Sequence, residues 1–169
     1  MLNLLVGRSA VEYGKAAAIL LLAGFLTISL WQVSADRAVG AQENEARSAA
    51  SDVARRFALA LTTYDYAHPQ VQLVDVQAVS TQAIGDRVRS ASIDLVAARA
   101  SSVGAVTEMV VVTVASARVE VLARTMQVVS GNYMSGASSL TGLLDIILSK
   151  PGADWVVTDY EWLTPPALP

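Results

Sequence analysis

The sequence contains no cysteine and only one histidine among its 169 residues. Without cysteine the chain has no disulfide bond, no thiolate metal site and no cysteine nucleophile. The single histidine, His68, directly precedes Pro69, a position typical of a loop or a helix cap. One imidazole cannot build a histidine-rich metal centre, and no other catalytic signature is present. We therefore expect neither a metal nor another cofactor.

The chain also lacks an excess of basic residues. It has 12 Lys and Arg against 15 Asp and Glu, which gives a formal net charge of −3. A nucleic-acid-binding surface needs clustered positive charge to neutralise phosphates, so nucleic acid is not an expected partner. The composition is 53% hydrophobic, and the length suffices for about one domain with a substantial core.

The longest apolar segment reads AAAILLLAGFLTISLWQVSA, residues 16–35, and contains no charged residue. A helix of this length spans about 30 Å, the thickness of the hydrocarbon core of a bilayer. Lys15 and Arg37 bound the segment, and Trp31 occupies an interfacial position. The pattern predicts a retained transmembrane helix surrounded by membrane lipids. The alternatives are a buried core helix and a cleaved signal, with the small residues at 33–35 as the exit of the signal.

Basic residues indicate the orientation of this helix. Arg8 and Lys15 precede it and Arg37 follows it, so the positive-inside bias favours a cytoplasmic N-terminal tail, residues 1–15. The remainder of the chain would then lie outside the cytoplasmic membrane. Small residues would permit close contact with another membrane helix. These candidate contact residues are Gly14, Ala18, Ala23 and Gly24.

Three segments after the membrane helix are predicted to be helical, over residues 36–63, 69–79 and 82–99. The first has apolar residues at steps of three and four, which is the spacing of one helical face. The second begins with Pro69, which is favourable in a first helical turn. The face of the first helix consists of Ala46, Ala50, Val53, Ala54, Phe57, Ala58 and Leu61.

The chain after Ala100 is rich in β-branched residues, which predicts strands. Helices followed by strands indicate a single α+β domain over residues 36–164, with about three helices packed on a curved four-stranded antiparallel sheet. The proline-rich end at 165–169 is expected to be an extended tail. The predicted strands cover residues 105–115, 117–130, 140–149 and 154–162.

Two short motifs suggest a family. TTYDY, residues 62–66, follows the alanine-rich charged helix, and WVVTDYE, residues 155–161, lies in the last predicted strand. Together with the element order, these motifs resemble the Mce-associated membrane proteins of actinobacteria. The resemblance implies an outer domain with the cone-like fold of nuclear transport factor 2. It also implies a non-enzymatic, membrane-anchored accessory role in a cell-envelope assembly, with the subunits of an Mce-type lipid transport system as partners.

The same resemblance places the first motif where the long helix meets the mouth of the cone. We expect the motif to form either a structural corner between helix and sheet or a rim that contacts a ligand, because a tyrosine combines an apolar ring with a polar hydroxyl. An aspartate there can cap the next helix. The candidate residues for these roles are Tyr64, Asp65, Tyr66, Trp155, Asp159 and Tyr160.

Other functions remain open at the level of sequence. The inner-membrane scaffold proteins of type IV secretion and conjugation systems share the plan of one membrane helix and an outer cone. The segment GRSAVEYGKAAAILLLAGF resembles a prepilin junction, which would be processed after Gly7. Enzymes with cone folds use a cavity carboxylate, a role that Asp65 could fill. The apolar strands also suggest a homo-oligomer or partner contact through the sheet.

Overall fold

The computed structural model describes residues 40–115, 117–132, 134 and 136–166. The predicted cytoplasmic tail, the predicted membrane helix at 16–35 and the candidate membrane-helix contacts lie outside these residues. Within the described part of the chain, no helix is both long and apolar enough to cross a membrane. The compact unit that carries the features below begins at Glu43.

Three helices occupy the first part of the domain. Helix α1 is described over residues 40–62, α2 spans Pro69–Gln77 and α3 spans Gln82–Ala97. The face predicted for α1 turns inward over most of its length, and Phe57 is fully buried. In helix α3, the apolar spacing predicts one inward face made of Ile84, Val88, Ala91, Leu95 and Ala98. The structure departs from it at one turn, where Ser92 is buried and Ala91 is exposed. At this turn, α3 therefore presents a different face from the one that the apolar spacing indicates.

The sheet has five strands instead of the predicted four. They are β1 (Tyr64–Asp65), β2 (Ser101–Ala115), β3 (Arg118–Ser130), β4 (Ser138–Ser149) and β5 (Val156–Thr164). All neighbours are antiparallel, in the order β1-β2-β3-β4-β5. The additional strand, β1, is only two residues long. It is too short to show an alternating pattern, and its pairing with Ser102 and Ser101 comes from tertiary structure.

Both long outer strands are irregular. The register of β2 against β3 shifts twice, near Thr107 and Val112, and the register of β5 against β4 also shifts twice, near Thr158 and Leu163. Such bulges bend a strand and increase its twist, so they curl the sheet around the helices. The loop between α2 and α3 covers part of the outer edge of β5, where Ser80 forms a parallel bridge.

The hydrophobic core lies between the concave face of the sheet and the three helices. Strand β3 shows the alternation most clearly, because every second residue from Val119 to Val129 is buried. The inward side chains of β4 continue this layer and are fully buried. The result is an α+β cone with a curled antiparallel sheet. The largest fully buried side chains are Phe57, Ile84, Leu144, Ile146 and Leu148.

Candidate functional site

Asp65 organises a tight corner between α1 and α2. Its Oδ1 accepts hydrogen bonds from the Ala67 amide at 3.0 Å and from Ser101 Oγ at 3.1 Å. The Nδ1 atom of His68 lies 3.0 Å from Oδ2, and the His68 amide donates to the Asp65 carbonyl at 3.0 Å. An aspartate whose side chain binds a backbone amide two residues ahead stabilises a turn. The corner therefore ends the long helix and starts α2 at Pro69.

The carboxylate of Asp65 is held in its ionised form. The hydrogen bond from His68, followed by that from the Ala67 amide, lowers the pKa of Asp65 below its ordinary value. The side chain is also substantially exposed. A general base that works near neutral pH needs the opposite shift, which an apolar environment produces. The geometry of Asp65 fits a structural corner better than acid–base chemistry.

Tyr64, the neighbour of Asp65, lines a partly open cavity of about 230 Å³. Its walls come from all three helices, from β1, β3 and β5, and from the end of the described chain. Burial raises the pKa of Tyr64, and a hydrogen bond with Ser102 opposes this shift. The polar lining groups are two tyrosines and two glutamines among apolar side chains. The lining residues are Leu61, Tyr64, Gln72, Val88, Ala91, Leu95, Gln127, Tyr160, Trp162 and Pro166.

A second hollow of about 330 Å³ shares four lining residues with this cavity: Tyr64, Leu95, Gln127 and Pro166. It is lined by the end of α3, the end of β3 and two described residues of the connection between β3 and β4, Gly131 and Met134. The shared residues show that Tyr64 stands between the two spaces. The end of the cone is therefore open near the first sequence motif.

The ring of Tyr160 contacts a second aromatic ring and a guanidinium group. The Phe57 ring centroid lies 5.2 Å away at an interplanar angle of 60°, and the Arg87 guanidinium lies 5.1 Å from the ring centroid. Burial raises the pKa of Tyr160, whereas the charge of Arg87 lowers it. Arg87 Nη1 also lies 3.4 Å from Asp159 Oδ1. The carboxylate of Asp159 therefore takes part in an exposed ion pair and is not among the residues that line the cavity.

Trp155 lies far from this site. It is buried, directly before β5, next to the residues that pair with the end of β4. Trp162, which lines the cavity, lies roughly 20 Å further along the strand at ~3.3 Å per residue. The indole Nε1 of Trp155 has no hydrogen-bond partner among the described residues. Tyr66 is 40% exposed and borders a small crevice beside α3.

Two of the six candidate residues, Tyr64 and Tyr160, line the 230 Å³ cavity, and Tyr64, Asp65 and Tyr66 border the small crevice beside α3. Gln127 and Trp162 were missed by sequence reasoning. The alternation of β3 puts Gln127 on the inward face, where Ser102 Oγ donates to its Oε1 at 3.4 Å. The inward position of Gln127 could therefore be predicted from the alternation of β3. The contacts of Arg87 could not be predicted in this way, because its partner Asp159 is 72 residues away in the chain.

A larger concavity lies between α1, α2 and the beginning of β2, and it shares Tyr64 and Gln72 with the 230 Å³ cavity. Its volume is about 990 Å³. Apolar side chains form most of its walls, including Leu59 of α1, Val71 of α2 and Val103 of β2, and charged residues line it as well. We refer to it below as the outer groove. Its charged lining residues are Arg56, Asp65 and Asp75, and His68 also lies there.

These sites support binding chemistry. The described lining of the 230 Å³ cavity includes no carboxylate and no imidazole. Across the residues that the structure describes, no group of His, Cys, Asp or Glu side chains could hold a metal ion. The cavity offers hydroxyl and amide groups in an apolar surround, an arrangement that fits a small apolar group with a few polar atoms.

No family model matches the chain, and no curated protein matches its sequence. Its fold is similar to that of several solved structures. An IcmL-like type IV secretion system protein from Legionella pneumophila superposes with a TM-score of 0.54 at 14% identity, over 73% of this chain and 96% of that one. For CagV, a VirB8 homologue of the type IV secretion system of Helicobacter pylori, the TM-score is 0.50 at 8% identity, over 67% and 95%.

A third similar structure is a proposed aromatic ring hydroxylase from Novosphingobium aromaticivorans, with a TM-score of 0.52, 17% identity and coverage of 73% and 92%. At these identities the similarity shows the fold alone, which is the cone of nuclear transport factor 2. Domains of type IV secretion systems are prominent among the neighbours. The specific resemblance to Mce-associated proteins gains no support from the neighbours and stays a prediction.

Proposed function

We propose that this protein is a non-enzymatic, membrane-anchored scaffold of a cell-envelope assembly of the type IV secretion kind. The supporting observation is the extent of the structural match: the cone corresponds to 96% of the IcmL-like protein and 95% of CagV, so the whole solved domain is shared. This was the alternative interpretation of the sequence, and it now has better support than the Mce-type lipid transport system.

The proposed mechanism is tethering. The predicted helix at 16–35 would hold the cone at the outer face of the cytoplasmic membrane. Confinement near the bilayer raises the effective concentration of the domain for membrane-bound partners, without any new contact. The partners would be subunits of the same envelope complex, bound through the outer surface of the cone.

The chemistry of the cavity favours a scaffold over an enzyme. The one candidate base from the sequence, Asp65, lies at an exposed corner, and its pKa is lowered. Tyrosine hydroxyls whose pKa is raised by burial remain neutral donors at physiological pH. The similarity to the proposed hydroxylase concerns the fold, and one fold supports many functions.

Affinity purification of the tagged full-length protein from native membranes tests the proposal. We expect a conjugation-type ATPase and channel proteins to copurify. Recovery of lipid-transport subunits instead would support the Mce-type role and reject the secretion role.

Asp65→Asn tests the enzymatic alternative, because it removes the charge of the carboxylate and keeps the size of the side chain. If Asp65→Asn abolishes function while the protein still folds and binds the same partners, the non-enzymatic proposal is wrong.

A further inference from the structure

Helix α2 is apolar on two opposite faces. Leu73 and Val76 are buried in the core at 4% and 0% exposure. Val71 and Val74, three residues apart, are 62% and 63% exposed, and Ala78 extends the outward stripe by one turn. A helix that is apolar on both sides is normally covered on both sides. The outward stripe of α2 is therefore a contact surface that the described residues leave open.

The outer groove lies directly beside this stripe. Val71 belongs to both, since it is exposed on α2 and lines the groove. On the opposite wall, Val103 at the beginning of β2 is 71% exposed. A ridge and a groove of similar apolar character thus lie side by side on one surface. Such a surface can bind a second copy of itself, because the ridge of each copy can enter the groove of the other.

The charges of the groove have the arrangement that such self-association requires. Arg56 on α1 and Asp75 on α2 both line the groove, and neither has an ion-pair partner among the described residues. In a two-fold symmetric interface, if residue i contacts residue j, then j contacts i. In a two-fold dimer, the Arg56 side chain of each copy can therefore form an ion pair with Asp75 of the other copy, which gives two equivalent ion pairs.

We propose that two copies of this chain associate through the outer groove. Helix α2 of each copy lies in the groove of the other, the two α2 helices run antiparallel about the two-fold axis, and Arg56 of each copy pairs with Asp75 of its partner. The sheet edge at β2 is a weaker candidate for this contact. Its two bulges interrupt the regular ladder that strand pairing needs, and bulges commonly protect an edge.

This inference does not rest on the proposed function, because it concerns self-association alone. If the protein is a secretion scaffold but stays monomeric, only the self-association is wrong. If it dimerises but belongs to another complex, only the proposed function is wrong. The absence of cysteine from the chain makes the inference accessible to disulfide crosslinking in native membranes. Each single-cysteine variant of the full-length protein then reports on one position.

Val74→Cys is the test variant, and Ile93→Cys is its matched control. Ile93 is a similarly exposed apolar residue, at 68%, but lies on α3, away from the outward stripe of α2. A disulfide forms only when the two Cα atoms come within roughly 4.4–6.8 Å. We expect oxidant to convert Val74→Cys to a covalent dimer at least tenfold faster than Ile93→Cys. Equal rates, or no dimer from Val74→Cys, would overturn the proposal.

Charge reversal tests the ion pairs in the Val74→Cys background. Arg56→Glu and Asp75→Arg, made separately, each place like charges opposite one another twice, and we expect either to lower the crosslinking rate about tenfold. The combined variant restores opposite charges and should return the rate to its original value. Arg55→Glu, on the same helix outside the groove lining, is the control and should have no effect. Failure of the combined variant to restore crosslinking would refute the reciprocal pairing.

Discussion

The junction between α1 and β2 gives the sharpest test of the packing, through the variant Gly104→Ala. A Cβ atom at Gly104 would lie 2.5 Å from the Cβ of Thr62 and 3.0 Å from its backbone carbonyl carbon. Carbon atoms normally approach to about 3.5–4.0 Å. Thr62 cannot easily move, because it is 1% exposed and its hydroxyl donates to the Ala58 carbonyl at 2.7 Å. The strand and the helix must therefore separate by roughly 1 Å.

The cost follows from two contributions. Insertion of a methyl group into a packed core costs about 1–3 kcal/mol. The separation also lengthens the hydrogen bond from the Gly104 amide to Thr63 Oγ1, now 3.1 Å, which is worth about 1 kcal/mol. We expect the free energy of unfolding to fall by about 2–4 kcal/mol. For a protein of this size, this corresponds to a decrease in Tm of roughly 5–15 °C.

Thermal and urea unfolding of the full-length protein, followed by circular dichroism, measures this loss. Gly152→Ala is the matched control, because no atom lies within 4 Å of a Cβ at that position. We expect the control to be neutral or stabilised by up to about 1 kcal/mol, since alanine reduces the entropy of the unfolded chain. Equal stability of Gly104→Ala and Gly152→Ala would show that the helix and the strand do not pack as described.

Three further changes probe the core, the Tyr160 contacts and the corner. Phe57→Ala removes a fully buried ring that contacts Tyr160, and should lower the free energy of unfolding by about 3–5 kcal/mol in urea titrations; a loss below ~1 kcal/mol would contradict the core assignment. Arg87→Ala removes an exposed cation–π contact and should cost about 0.5–1 kcal/mol, whereas Arg89→Ala, whose partner is Asp86 on the same helix, should cost less. The pKa of Asp65 is lower in the folded state than its ordinary value of 3.8. The ionised side chain therefore stabilises the folded state at pH values above 3.8, and this stabilisation is lost as the pH falls through the lower folded pKa. Asp65→Asn should therefore show a weaker decrease in Tm between pH 5 and 3 in acid unfolding scans, and an unchanged slope would argue against the hydrogen-bonded corner.

The sequence predicted those elements whose pattern is long and local. Apolar residues recur on one face of α1 over several turns, and this spacing alone predicts which side of the helix is buried. Strand β3 alternates without interruption from Val119 to Val129, which fixes both the strand and the inward direction of Gln127. The antiparallel order of the four long strands followed from their short connections. These features rest on backbone periodicity, which neighbouring residues already express.

Features made by distant residues were not predictable in the same way. Strand β1 has two residues and exists because Tyr64 pairs with Ser102 across the fold. The bulges of β2 and β5 interrupt the alternation at single positions, and a single interruption in a sequence pattern does not identify a bulge. The outer groove joins α1, α2 and β2 and left no signal in any one of them. The six candidate residues were chosen by their chemistry, and the sequence could not show that Tyr64 and Tyr160 line one cavity whereas Trp155 does not.

The central claim is that the cone acts through its outer surface and not through chemistry in its cavity. The most direct test is the variant Tyr160→Phe, which removes a hydroxyl from the cavity, preserves the ring and leaves the lining of the outer groove unchanged. In cells that depend on this protein for an envelope transport process, we expect the variant to retain full transport and to copurify with the same partners as the unmodified protein. Loss of transport with an intact fold and unchanged partners would contradict the claim.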